Sequence, residues 1–383
     1  MINMKNQHLL EEIHSAKNHK ASTRNVYRVA CEKYCKFNEM LLEDLLQEAE
    51  NEEKNKIDWK YRKLKQKLIN FRSYLIEYYP QKTVETYFNT ILEIYNYYEI
   101  TIGKLPKVDK RSYNKTPPIT FKDLPDKEII REALKISTPL MSALILFMSS
   151  SGCARTETLN LTIQDYIDSV QEYVKTNNLT QIIDTLNNTD DVIPTFNILR
   201  VKTNKYYTTY CSPEAVHSIN SYLLSRTDPL KPEAPLFKIH PMYVMQKFKE
   251  INNELGLGKV GKYNRFRSHM LRKFHASSLY NDGMSIDKVN DLQGKSKTLT
   301  DQSYFMVNPD DLKYEYIEHL PCLLMGKDVE KVSVKSPEYH RLEQENKKYK
   351  DNLSSLWDEL NNLKSRQEVW EELKKRGSEN NEM

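Results

Sequence analysis

Glycine is scarce, with 9 in 383 residues. That argues against a loop-rich or Rossmann-type chain. G-x-x-x-x-G-K-[ST] does not occur, and G-x-G-x-x-G occurs once, from Gly256 to Gly261, after a stretch that reads as a helix rather than a strand, so no nucleotide cofactor is implied. Cysteine is sparse and scattered. Cys31, Cys35, Cys153, Cys211 and Cys322 form no second pair at zinc-ribbon spacing, and an odd count without a secretory signal reads as reduced thiols in a cytosol. No apolar run approaches the roughly 20 residues needed to span a bilayer. The segment from Met1 to Lys20 has no long apolar core and is no secretory signal. Net charge is also small, at +4, so any nucleic-acid surface must come from local basic patches rather than overall charge. What remains is a chain with 39% hydrophobic and 29% charged residues, the balance of a soluble, mostly helical protein long enough for two or three domains.

Residues 1 to 20 are polar and read as frayed or loosely helical. Ser22 and Thr23 are placed to cap a helix in which Val26, Val29, Ala30, Tyr34 and Phe37 recur at helical spacing. Met40 to Glu53 reads as an acidic helix. Trp59 to Tyr79 reads as a long one with Leu64, Leu68, Phe71, Leu75 and Ile76 on one stripe, broken by Pro80. Thr83 to Tyr98 reads as a fourth helix. Residues 1–100 are thus expected to form a small helical bundle. Residues 101–120 read as a linker: Pro106, Pro117 and Pro118 resist helix, and Lys104, Lys107, Lys110, Arg111 and Lys115 make it basic. Extended, twenty residues reach about 65 Å, enough to pass a duplex while contacting its phosphates without reading bases.

A second domain is expected from 121 to 325. It begins with a helix after Pro125-Asp126, followed by a buried helix from Pro139 to Met148 that runs into Gly152. A helix starts near Thr156, and 170–192 is an elaborated loop or short helices. Two strands, Asn197–Lys202 and Tyr206–Cys211, form a hairpin. Pro213–Leu224 and Tyr243–Leu255 are helices. A Gly/Lys loop then leads to Arg265 and Arg267, which are candidate phosphate contacts or parts of a solvated loop.

The stretch from Ser268 to Phe305 concentrates the chemistry. His269 and Arg272 share a helical face, and Ala276 and Leu279 continue it. Gly283 ends that helix, and Ile286, Val289 and Leu292 start another. Then come Gly294-Lys295 and, nine residues after the lysine, Tyr304. An H-x-x-R pair by itself equally describes a solvated basic face. Together with a tyrosine, however, these cations suit attack on a phosphodiester. Arginine's planar fork matches phosphate oxygens, and a phenol near pKa ~10 needs cations to become a nucleophile.

With Gly152-Cys153-Ala154-Arg155-Thr156-Glu157 upstream and Val201-Lys202-Thr203-Asn204-Lys205 between, the ordered set Arg…Lys…H-x-L-R…GK…Tyr resembles the tyrosine recombinases, or phage integrases, of archaeal and phage type. The resemblance covers residues 120 to 320 well and the helical N-terminal part loosely. It implies a mainly α fold with a small β-hairpin, and a helical N-terminal bundle that clasps DNA opposite a mostly α catalytic domain. The implied catalytic residues are Arg155, Lys202 (with Lys205 the alternative), His269, Arg272, Lys295 and the nucleophile Tyr304, with Glu157 orienting a cation from behind. The implied activity is site-specific recombination through a 3′-phosphotyrosyl link, with double-stranded DNA and further copies of the chain as partners, and no metal, cofactor or membrane. Two departures stand out. Ungapped alignment puts Ala154 at the family's first arginine, so Arg155 is displaced by one, and Lys295 replaces a His or Trp. A DNA-binding protein on the same fold that has lost catalysis, or a type IB topoisomerase, remains an alternative reading.

Residues 326–383 are expected to be helical from Pro337 to Arg376. Leu342, Tyr349, Leu353, Leu356, Leu360, Leu363 and Trp370 fit a 3.5-residue seam interrupted by Asn346 and Gln367. This reads as a coiled coil or a helix that meets a partner, or else one that packs on its own domain. The cytoplasm, at the nucleoid of a prokaryotic host, is the expected location.

Overall fold

The structure is a computed structural model, which describes residues 4–113, 118–295, 308–326 and 349. Tyr304, Lys115 and the leucine seam lie outside the described residues. The chain divides into two compact units, 1–118 and 119–383.

The first unit is built on α1 (Met4–Ala16), α2 (Ala21–Asn38), α3 (Leu42–Lys54), α4 (Lys63–Tyr78) and α5 (Gln81–Tyr97). Its core joins Leu10 and Ile13 of α1 to Tyr34, Leu45, Leu68, Phe71, Ile91 and Tyr95. Three expectations change here. The N-terminal segment is a helix because Leu10 and Ile13 are buried, at 4% and 0% exposure, and that apolar face outweighs its polar composition. The cap of α2 falls on Lys20, not on Ser22 or Thr23. The stretch from Trp59 is also not one helix: a 3₁₀ turn Trp59–Tyr61 precedes α4, and Arg62 between them is extended. Glu52, buried at 7% exposure, explains the restart, since its carboxylate accepts the N–H groups of Lys63 and Leu64. Ile102, Leu105 and Tyr113 pack against this core, so the Pro-containing stretch follows the bundle's surface for much of its length. Lys104, Lys107 and Arg111 are exposed on it, and Arg111 pairs with Asp109 at 2.9 Å.

The second unit comprises α6 (Lys127–Lys135), α7 (Pro139–Ser151), α8 (Arg155–Asn160), α9 (Ile163–Ser169), α10 (Leu179–Asn187), the hairpin β1 (Thr195–Arg200) and β2 (Lys205–Tyr210), α11 (Pro213–Leu224) and α12 (Pro241–Glu254). A short hairpin follows, β3 (Lys259–Val260) with β4 (Tyr263–Asn264), then α13 (Ser268–Asn281), α14 (Ile286–Leu292) and α15 (Pro309–His319). Pro139, Pro213, Pro241 and Pro309 each open a helix, where the missing N–H costs nothing and the fixed φ is already helical. The core is centred on α7, which is buried from Ala143 to Ser151 and packs on α11 and α13. A helix this apolar on all sides can only be central. The antiparallel hairpin pairs Thr195 with Tyr210 through Arg200 with Lys205. Its turn is Val201–Asn204, so Lys202 sits in the turn and not at the end of a strand. The Gly/Lys segment after α12 is the β3–β4 hairpin rather than an open loop. Among the described residues, no helix is long and apolar enough to cross a membrane.

Candidate active site

The site begins where α7 ends. Gly152 terminates the helix with φ 66°, and its N–H bonds the Met148 carbonyl. The turn delivers Arg155 as the first residue of α8. Ala154, at the cap, has no side-chain acceptor. The cap is made from the other side, by the Glu157 carboxylate accepting the Ala154 N–H at 2.9 Å. That capping fold-back puts a carboxylate at 6% exposure directly behind the turn.

Arg272 projects toward it from α13 and is only 9% exposed. Its Nη1 donates to the Gly152 carbonyl at 2.5 Å and its Nη2 to the Gln293 carbonyl at 2.6 Å, while Nη1 lies 3.6 Å from Glu157 Oε2. Gln293 answers through its own amide, which donates to the Arg272 carbonyl at 2.9 Å. A guanidinium has five N–H donors, so two on carbonyls leave others for a ligand. Tyr207, from β2, donates its hydroxyl to Glu157 at 2.9 Å. Burial, then the neighbouring Cys153 and Glu157, push this phenol's pKa far up, so it stays a neutral donor.

A cleft of about 530 Å³ opens on this assembly. Arg155, Arg272, His269, Arg267, Lys249 and Lys262 line it, with Phe248, Phe266, Met245 and Tyr263 as apolar wall, and among the described residues no carboxylate lines it. Arg267 donates to the Asn264 carbonyl at 2.8 Å and stacks over Tyr263, 4.6 Å from the ring centre. The His269 ring is held below the usual imidazole range by partial desolvation in the cleft first, then by the charges of Lys273, Arg267 and Arg272. At neutral pH it is therefore an uncharged imidazole with one N–H to donate. Such a surface attracts an anion and offers it fixed donors.

The structure thus brings together Arg155, Glu157, His269, Arg272 and Arg267. Lys295 lies outside the cleft's lining, at the turn after α14, and its backbone N–H is bonded to the Asn290 carbonyl. Desolvation, then Arg272 and Arg200, lower its pKa, so it shares the electrostatic field of the site. Lys202 is exposed at the hairpin tip, and Lys205 begins β2. Arg265 is held by backbone carbonyls. Its Nη2 donates to the carbonyls of Lys122 (2.9 Å) and Leu124 (3.5 Å), and its Nε is buried without a partner among the described residues. It therefore ties α13's approach to the start of the unit through Nη2.

Sequence reading did not find Arg200, Tyr207, Gln293, Lys249 or Lys262. Lys249 sits on α12, where helical spacing from the buried Phe248 placed it beside the apolar stripe. Arg200, Tyr207 and Gln293 meet the site only through long-range contacts.

No curated protein matches the chain in sequence. Among solved structures, the chain is similar to XerH site-specific recombinase bound to palindromic difH substrate in a post-cleavage complex, at 18% identity and TM-score 0.50, over 80% of this chain and 82% of that one. The lambda integrase tetramer bound to a Holliday junction is also similar, at 14% identity and TM-score 0.49, over 87% of this chain and 80% of that one. The XerH likeness shows the fold. Residues 127–310 match the phage integrase family, and they hold the Gly152 turn, the hairpin, the H-x-x-R helix and the cleft just described. Over residues 127–310 the chain therefore matches the phage integrase family, the tyrosine recombinases.

Proposed function

We propose that this chain is a site-specific DNA recombinase that cuts and rejoins duplex DNA through a 3′-phosphotyrosyl link at Tyr304. The observation that carries the reading is the cationic cleft in which Arg155, His269 and Arg272 converge, with Arg272 pinned from behind by Glu157, Gly152 and Gln293. A scissile phosphate there gains charge on its non-bridging oxygens in the transition state. Arg155 and Arg272 stabilise that charge, and neutral His269 adds one N–H. Lys295 adds a further donor. The Tyr304 oxygen attacks phosphorus, the bond to the 5′-oxygen breaks, and Lys202 gives the leaving oxygen its proton. The phosphotyrosine keeps the bond energy, so a 5′-hydroxyl from a second duplex reverses the step and completes the exchange.

The remaining cations are assigned to DNA backbone contacts: Arg267, Lys249 and Lys262 in the cleft, and Lys104, Lys107, Lys110, Arg111 and Lys115 in the Pro-containing stretch. The bundle of residues 1–100 clasps the duplex and 121–325 cuts it. The leucine seam of 326–383 joins protomers on paired sites. A cytoplasmic location at the nucleoid of a prokaryotic host follows from the substrate.

A nicked suicide substrate tests the proposal. The wild-type chain traps a denaturation-resistant DNA adduct. Tyr304→Phe binds the same DNA and forms none. An adduct that persists in Tyr304→Phe overturns the assignment of the nucleophile. Relaxation of supercoils without strand transfer between two labelled duplexes replaces the recombinase with a topoisomerase.

A further inference from the structure

The hairpin that carries Lys202 has little to hold its tip. Lys202 is exposed, and among the described residues no ion pair or hydrogen bond involves its side chain. A lysine loses little entropy by staying mobile, but a proton donor must sit within hydrogen-bond reach of the atom it protonates. Something in the hairpin has to set that distance.

Arg200 stands at the root of the turn. It is the last residue of β1, and its carbonyl accepts the N–H groups of Thr203 (3.1 Å) and Asn204 (2.8 Å), which closes the turn around Lys202. Its side chain leaves the hairpin. Nη1 donates to the Gly294 carbonyl, and Nε lies 3.8 Å from Glu157 Oε1. At 17% side-chain exposure it is mostly withdrawn from water. Arg272 holds the Gln293 carbonyl. Two arginines from different elements therefore grip consecutive carbonyls of one turn and flank one carboxylate. Tyr207 adds a second contact from the same hairpin: its ring lies where a Cβ on Gly294 would fall. Gly294 has φ 57°, so glycine serves both the backbone and the close approach there.

We propose that Arg200 is a positioning residue for DNA cleavage, anchoring the root of the Lys202 hairpin to the Gly294 turn so that Lys202 reaches the leaving 5′-oxygen. This rests on the reading of Lys202 as the proton donor. Arg200 itself touches no DNA; it acts through the lysine two residues on.

Chemistry provides a readout that a merely structural role would not move. Replacing the bridging 5′-oxygen by sulfur gives a thiolate leaving group, which departs without a proton because a thiol's pKa lies near ~8.5. The same DNA site is made in both forms, and single-turnover cleavage and DNA binding are measured for wild type, Lys202→Ala, Arg200→Gln and Arg200→Lys. Arg200→Gln is expected to cut ordinary DNA about 10²-fold more slowly, the scale of an ångström-level misplacement, with Kd nearly unchanged. On the 5′-thio substrate it is expected to return close to the wild-type rate, in step with Lys202→Ala. Arg200→Lys, which keeps the charge beside Glu157 but not the planar fork, is expected to be slowed less and rescued equally, and it carries the test should the glutamine variant fail to fold. Rescue of Lys202→Ala without rescue of either Arg200 variant overturns the proposal, as does full activity of both on ordinary DNA. If Lys202→Ala is itself not rescued, the underlying assignment of the proton donor fails instead.

Discussion

Gly152 lies so close to the His275 imidazole that a Cβ on it would stand 2.5 Å from Nδ1. Its φ of 66° is one that side chains rarely adopt. The glycine lets α13 close against the end of α7, and that closure brings Arg272 to the Gly152 carbonyl. Gly152→Ala therefore meets both a strained backbone and an overfilled contact, for a loss of about 2–4 kcal/mol of stability. Denaturant unfolding measures it. A variant as stable as the parent would show that α13 can move away freely.

Glu157 is the second prediction. It is a buried carboxylate that receives Tyr207 and the Ala154 N–H, with Arg272 and Arg200 beside it. Removing one member of a buried charge set leaves the others uncompensated, a loss of about 3–5 kcal/mol when a partner is deleted outright. Glu157→Gln keeps the shape and two acceptor contacts, so its effect falls below that range. Cleavage is expected to drop more than DNA binding, because the charge orienting Arg272 is gone. Equal losses in both would point to a general loss of folding.

His275 sets a pH dependence. The ring is fully buried, and desolvation, followed by Arg272 and Lys295, pulls its pKa down to about 3, with only the Ser150 backbone favouring the proton. Gln293 Nε2 lies 3.2 Å from its Nδ1, which makes Nδ1 the acceptor and puts the proton on Nε2. In the unfolded chain an imidazole titrates near 6.5. The unfolded state thus binds the extra proton first as pH falls. The stability from keeping His275 neutral is complete above about 6.5 and is lost progressively down to about 3. Unfolding free energy measured from pH 7.5 to 4.5 should fall on the acid side, and His275→Gln should flatten that slope. An unchanged slope would place the titration elsewhere.

Lys249 and Lys262 line the cleft, and among the described residues no carboxylate lines it with them. If each neutralises one phosphate, Lys249→Ala or Lys262→Ala reduces the slope of log K against log salt by about 1 and weakens binding similarly for all sequences. Binding isotherms at several salt concentrations decide this. An unaltered slope would mean that the cleft's mouth does not follow the backbone.

Much of the fold was legible in the chain itself. Apolar residues at helical spacing marked α2, α4 and α5, prolines marked the starts of α7, α11 and α15, and Gly152 and Gly283 marked two ends. These signals are local: a proline's fixed φ or a glycine's freedom acts on its own turn, wherever the rest of the chain lies. The same locality made His269 and Arg272 readable as one face of a helix. Polar composition misled at α1, because the burial of Leu10 and Ile13 depends on helices that follow. Arg265 and Arg200 show the limit most clearly. Both are arginines near basic segments, and nothing adjacent in sequence distinguishes them. Tertiary contact turned one toward the carbonyls of Lys122 and Leu124 and the other toward Gly294 and Glu157, 143, 141, 94 and 43 residues away in sequence. A guanidinium takes whichever acceptors the fold brings within hydrogen-bond range, so its role was decided only once α8, the hairpin, α13 and the turn after α14 had packed together.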